Sequence, residues 1–147
     1  MKKITLSVLT IICVTALILS ACAFLDAQAS QPNLVGTSWT LISYGNVADQ
    51  SPAVSGVPTS LIFAMDGQVS GNLGCNGFSG NYKVKDGKLE FGALASTLMA
   101  CPDPQMVQEG SAFQVLSDTV SFSMARDLLT IYDSTGNFAL KLSRVLN

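Results

Sequence analysis

The chain has 147 residues, with eight basic side chains, ten acidic ones and no histidine. The missing imidazole excludes a Ser–His triad, and so few basic residues give no stripe for nucleic acid. The positive mean hydropathy is inflated by the N-terminal segment and says nothing of membrane character further on.

Lys2 and Lys3 precede an apolar run of 16 residues from Ile4 to Leu19, the charged and hydrophobic regions of a secretory signal. The run is shorter than the ~20 residues that span a bilayer. It ends at Leu19-Ser20-Ala21-Cys22, where small residues before a cysteine resemble the lipobox of bacterial lipoproteins. The resemblance implies a signal peptide over 1–21, and an acylated (palmitate-bearing) Cys22 as first residue of the mature chain. It further implies a cell-envelope protein, lipid-anchored on the outer face of the cytoplasmic membrane. In a Gram-negative host, Ala23 in place of aspartate would direct it to the outer membrane. An ordinary signal peptide or a short membrane helix is the plainer alternative. Residues 22–33, with Gln28, Ser30, Gln31 and Pro32, have few large apolar side chains and form a lipidated tether. Cleavage would leave Lys83, Lys85, Lys88, Arg126, Lys141 and Arg144 against the ten acidic residues. Attraction of the domain to anionic lipid is therefore not expected, and the membrane is reached through the covalent anchor.

From Leu34 to Asn147 the pattern predicts one domain, mainly β with one helix. Trp39 and Leu41 alternate with Thr40 and Ile42 in a first strand, followed by a polar loop over Gly45 to Pro58. Thr59 to Met65 is nearly all apolar, the pattern of a strand buried on both faces. Asp66-Gly67 suits a two-residue hairpin turn into a strand over Gln68 to Gly74. Tyr82 and Val84 alternate with lysines, Asp86-Gly87 turns the chain, and Leu89 and Phe91 return. Asp103 as cap and Pro104 in the first turn open a helix whose Met106, Phe113, Leu116 and Val120 share an apolar face, with Gly110 close to the sheet. Phe122 and Met124 alternate with serines, Arg126-Asp127 turns into Leu128 to Tyr132, and a last strand points Phe138, Leu140 and Leu142 inward. The expected architecture is a curved antiparallel sheet or small open β-barrel, with the helix closing one side.

Cys13 lies in the signal and Cys22 is the acylation candidate, which leaves Cys75 and Cys101. An even pair in an oxidising compartment favours a disulfide. Two unpaired thiols, or a zinc site, are the alternatives, and zinc lacks a histidine here.

Gly74-Cys75-Asn76-Gly77-Phe78-Ser79-Gly80-Asn81-Tyr82 resembles the META domain, an HslJ-like family. Thr97-Leu98-Met99-Ala100-Cys101 carries a second family signature, and Glu109, Phe113 and Leu116 resemble the helix that follows it. The likeness extends over about Leu34 to Val145. It implies a small antiparallel β-barrel with one packed helix, a link to heat shock and stress response, and no agreed biochemical activity. Gly74, Gly77 and Gly80 are expected to supply positive φ around a sharp turn, with Phe78 and Tyr82 anchoring it. That turn is either a disulfide-stapled structural loop or a recognition surface made by Asn76, Gly77, Phe78 and Tyr82.

No assembled catalytic group, phosphate loop, dinucleotide fingerprint or CxxC motif is present in the sequence, and capping and helix-dipole roles account for Asp103 and Glu109. The sequence therefore points to a non-catalytic domain with no cofactor and no metal, expected to bind an envelope protein partner. Two alternatives remain: an inhibitor or small-ligand-binding lipoprotein, and a thiol-redox protein using Cys75 and Cys101.

Overall fold

A computed structural model describes residues 33–146. The signal peptide over 1–21, Cys22 and nearly all of the tether lie outside the described residues. Among the described residues, ten strands and one helix follow in chain order. They are β1 (Thr37–Asn46), β2 (Asp49–Pro52), β3 (Ser60–Phe63), β4 (Gln68–Asn72), β5 (Gly77–Lys85), β6 (Lys88–Phe91) and β7 (Ala95–Ser96). After α1 (Asp103–Val115) come β8 (Thr119–Ala125), β9 (Leu128–Tyr132) and β10 (Phe138–Arg144).

Every strand pairing is antiparallel, and β1 pairs with both β3 and β10. The ring β1-β3-β4-β5-β6-β8-β9-β10 closes on itself, so the barrel is closed rather than open. Closure removes the unpaired edges that an open sheet of this length would expose. Strand β2 continues the β1 hairpin outside the ring, and β7 adds two residues beside β5. Between Leu41 and Ser43 the β1–β10 register shifts, a bulge that leaves Ile42 outside while Leu41 and Tyr44 stay buried.

The interior follows the alternation in the sequence. Trp39, Leu61, Phe63, Val69, Leu89, Leu129, Ile131, Leu140 and Leu142 are all shut off from solvent. Strand β3 has an outer face after all: Leu61 and Phe63 point in, but Ile62 is exposed, because a barrel strand has only one dry side. The Gly45 to Pro58 segment is not all loop, since β2 pairs with β1 through a two-residue turn at Val47-Ala48. On β10 the outward-facing Ala139 is buried as well, and the Gln50 amide donates to its carbonyl at 3.1 Å.

Three turns connect strands at the end of the barrel where β1 begins. Asp86-Gly87 is a two-residue turn with both residues at positive φ, as the local strand twist requires. Asp66-Gly67 belongs to a three-residue connection instead. Ala64 N–H donates to the Gln68 carbonyl, Gly67 takes φ +82°, and the Asp66 side chain accepts from Gln68 N–H. The third turn, Arg126-Asp127, joins Ala125 to Leu128.

At the other end, the β9–β10 turn is organised by Asp133. Its carboxylate accepts from the Thr135 hydroxyl at 2.6 Å and from Phe138 N–H at 3.0 Å. Burial alone would raise its pKa. The hydrogen bond from Thr135, joined by the backbone N–H groups of Phe138, Asn137 and Gly136, outweighs that and holds it below the ordinary 3.8. A carboxyl lowered in the fold stabilises it above the ordinary value, and that contribution is lost as pH falls through the folded value. Urea unfolding between about pH 5 and pH 2 should therefore show a shallower acid decline in Asp133→Asn than in the parent. Parallel declines would contradict the assignment.

Helix α1 lies across this second end of the barrel. Its apolar stripe is not where the sequence pattern places it. Met106 and Gly110 are exposed, Phe113 is half-buried, and Val120 belongs to β8. The buried face is Gln108, Glu109, Ala112 and Val115, with Leu116 just beyond. The reason is that the barrel end presents backbone N–H and C=O groups as well as carbon, and a polar pair satisfies them. Nor does Asp103 cap the helix: the N-cap position is Pro102, no side chain caps it, and Asp103 sits in the first turn.

Candidate functional site

The two sequence signatures meet at the helix end. Cys75 and Cys101 are joined in a disulfide with Cα atoms 6.0 Å apart, linking the β4–β5 connection to the segment before α1. Beside it, Glu109 reaches from the helix into that connection. Its Oε2 accepts from Cys75 N–H at 2.8 Å and from Asn76 N–H, and its Oε1 accepts from the Asn76 amide at 2.7 Å. Three donors converge on two oxygens, which matches an acceptor-only carboxylate.

Asn76 passes the connection on. Its Oδ1 accepts from the Thr97 hydroxyl and from Met99 N–H, both at 2.8 Å. Thr97 N–H also donates to the Gly77 carbonyl at 3.0 Å. Gln108 works in parallel, donating to the Leu73 carbonyl at 2.7 Å and accepting from Val54 N–H at 2.6 Å. Two adjacent helix residues thus tie together the β2–β3 loop, the β4–β5 connection and, through Asn76, the 97–99 segment. Among the described residues no buried side-chain polar atom lacks a partner. The network is internally complete.

Glu109 and Gln108 were not legible as this pair. The helix-dipole role assigned to Glu109 by sequence is replaced by a buried structural one. The available signal was two large polar residues side by side in a helix that follows the second cysteine motif.

Gly74 and Gly80 act by size, not by backbone sign. Gly74, Gly77 and Gly80 do not adopt positive φ. A Cβ on Gly74 would lie 2.5 Å from the Gln105 carbonyl oxygen and 2.8 Å from the Glu109 Cβ, so glycine lets α1 approach the connection. On Gly80 it would meet Leu94 and the Ala93 carbonyl within 2.8 Å.

Of the expected recognition residues, Asn76, Phe78 and Tyr82 are buried and Gly77 is exposed at the start of β5. The Phe78 ring meets Phe113 edge-on with centroids 5.5 Å apart, fixing the helix to β5. Tyr82 packs edge-on against Phe63 at 4.8 Å and donates its hydroxyl to the Ala64 carbonyl at 3.1 Å. Burial, aided by the charge of Asp66, raises the Tyr82 hydroxyl above its ordinary 10.0. Asn76 and Phe78 build the loop without facing solvent, and Tyr82 packs at the other end of the barrel.

What does face solvent is the segment they hold. Leu98 is 96% exposed and Met99 54% exposed. They sit between Thr97, fixed by Asn76, and Cys101, fixed by the disulfide. An open cleft of about 460 Å³ lies nearby, lined by Thr59, Ser60, Asn72, Gly74, the disulfide and Gln105. Leu98 and Met99 fall inside the second family signature, but the exposure of one apolar pair cannot be read from alternation.

A small closed barrel plugged by one helix, with a disulfide and an Asn–Glu pair tying its two signature segments, defines the class. This chain belongs to the META domain family, which matches residues 32–144. Among curated proteins it is similar to the heat shock protein HslJ of Escherichia coli K12, with 28% identity over 91 residues. That match covers 61% of this chain and spans 64% of the relative's length. Among solved structures, the NMR structure of a protein from Burkholderia xenovorans superposes with a TM-score of 0.65 at 26% identity, covering 84% of this chain and 97% of that one. A second NMR structure has a TM-score of 0.58 at 24% identity over 74% of this chain and 88% of its own, a likeness of fold.

Proposed function

We propose that this chain is a lipid-anchored envelope protein that works by binding another envelope protein, without catalysis, as part of the envelope's response to stress. The observation that carries the reading is the exposed Leu98-Met99 pair, clamped on both sides by a buried network and a disulfide. A large apolar residue left fully in water costs solubility, and a rigid scaffold beneath it removes the ordering entropy of binding. Both features suit a docking surface better than a packing element. The stress assignment rests on the name of the HslJ relative, and the envelope assignment on the lipobox-like Leu19-Ser20-Ala21-Cys22.

Survival of heat by a strain lacking the protein tests this reading. The parent chain should restore survival. Cys22→Ser, which removes the acylation point, and Leu98→Asp with Met99→Asp, which puts charge on the exposed pair, should each fail to restore it at equal protein level. Full restoration by both variants would overturn the proposal.

A further inference from the structure

The barrel end opposite the helix gathers almost all of the positive charge. By strand alternation this end carries the β3–β4, β5–β6 and β8–β9 turns, the chain's approach to β1 and its exit from β10. Backbone bonds knit these pieces together: Gly36 to Phe63, Tyr82 to Gly67, Arg144 to Asp127 and Val145 to Ser38. Lys83, Lys85 and Lys88 lie on the β5–β6 hairpin, Arg126 in the β8–β9 turn and Arg144 at the end of β10. Of the basic residues in the described chain only Lys141, within β10, lies elsewhere.

Acidic residues divide differently. Asp49, Asp103, Glu109, Asp118 and Asp133 belong to the helix end, which holds no basic residue. Asp66, Asp86 and Asp127 occupy turns of the basic end, and Glu90 is held by Lys83 at 2.7 Å. The basic end is apolar as well. Met65 is 85% exposed and Leu146 77% exposed, with Val35, Leu128 and Val145 exposed beside them.

We propose that this end of the barrel lies on an anionic phospholipid surface, its apolar residues entering the interface and its lysines and arginines meeting the headgroup phosphates. The occupant follows from where the chain comes from. Asn33, the first described residue, stands at this end, eleven residues after the acylation candidate Cys22. A chain of that length reaches at most ~40 Å, so an anchored domain stays beside the bilayer. Apolar side chains with a small surplus of basic ones around them then bind chiefly through burial, with charge adding to it. Docked this way, Leu98-Met99 at the helix end faces away from the membrane, toward partners. The sparse positive charge, scattered along the sequence, becomes a membrane-facing patch only once the strands alternate. This inference rests on the lipid-anchor reading above for its geometry, and the test separates the two.

The full chain, reconstituted in vesicles of phosphatidylethanolamine and phosphatidylglycerol, is compared as Met65→Trp and Val107→Trp. Both positions are exposed, at opposite ends of the barrel, and buried Trp39 adds the same background to each. Met65→Trp emission should shift to the blue and be quenched by lipids brominated in their acyl chains, while Val107→Trp should stay unshifted and unquenched. Equal behaviour of the two would overturn the proposal. A blue shift without lipid quenching, accompanied by crosslinked dimers, would overturn it in favour of a second copy as occupant. Intact mass of the same sample reports acylation. An unmodified Cys22 would sink the anchor reading, and the surface is then tested by sedimentation of the unacylated chain with the same vesicles. There Lys85→Gln with Arg126→Gln should weaken binding about 25-fold, at about fivefold per positive charge lost. Unchanged sedimentation would overturn the surface itself.

Discussion

Glu109→Ala should lower the unfolding free energy by about 4 kcal/mol, a large share of what a domain of this size possesses. The substitution leaves the N–H groups of Cys75 and Asn76 without acceptors, and leaves the Asn76 amide only its 3.4 Å contact with the Met99 carbonyl, in a place closed to water. Each orphaned buried donor costs roughly 1–3 kcal/mol, moderated by whatever water enters the space. Glu109→Gln is the informative companion. Its carbonyl can still receive both backbone donors, but its amide then faces the Asn76 amide, donor against donor. Asn76 cannot rotate its side chain without giving up Thr97 and Met99. A loss of about 2 kcal/mol is expected for Gln, read as a shift in the urea midpoint at unchanged slope. A Gln variant as stable as the parent would show that the carboxylate is not the acceptor the network needs.

Replacing both Cys75 and Cys101 by Ser should cost about 3.5 kcal/mol and lower the melting temperature by about 15 °C. The bridge closes a loop with a sequence separation of 26, and its main effect is on the unfolded chain, whose freedom it restricts. The folded state should persist locally, because Asn76 holds Thr97 and Met99 independently of the sulfurs. The melting curve of the reduced parent should match that of the double variant. An unchanged melting temperature in either would show that the bridge contributes nothing to the fold.

Much of the barrel was legible in the sequence because its strands obey a simple physical rule. Tyr82, Leu89 and Phe91 alternate with charged neighbours, and Asp86-Gly87 supplies the positive φ that a two-residue turn demands. Leu140 and Leu142 are buried for the same reason. The helix misled because periodicity counts carbon, while the barrel end also offers backbone groups. Gln108 and Glu109 satisfy those groups, and Met106 is left outside. The motif glycines misled in another way: a glycine signals either positive φ or close approach, and only three dimensions show that Gly74 faces the helix backbone. Asn76 and Phe78 frame the segment whose exposed members are Leu98 and Met99, whereas Tyr82, grouped with them in the sequence, packs at the opposite end of the barrel beside Phe63 and Ala64. The basic end was invisible for a topological reason, since Lys83 and Arg144 come to the same end of the barrel only after the strands have alternated around the ring.

Photo-crosslinking in living cells, from a residue placed at Gly77 or Ala100 beside the exposed pair, tests the binding account most directly. With the parent chain, a dominant protein adduct should form and increase under heat stress. It should disappear when Leu98→Asp and Met99→Asp are introduced, with the fold intact by melting temperature. An adduct pattern no richer than that of an unrelated lipid-anchored domain, or one indifferent to those two substitutions, would contradict it.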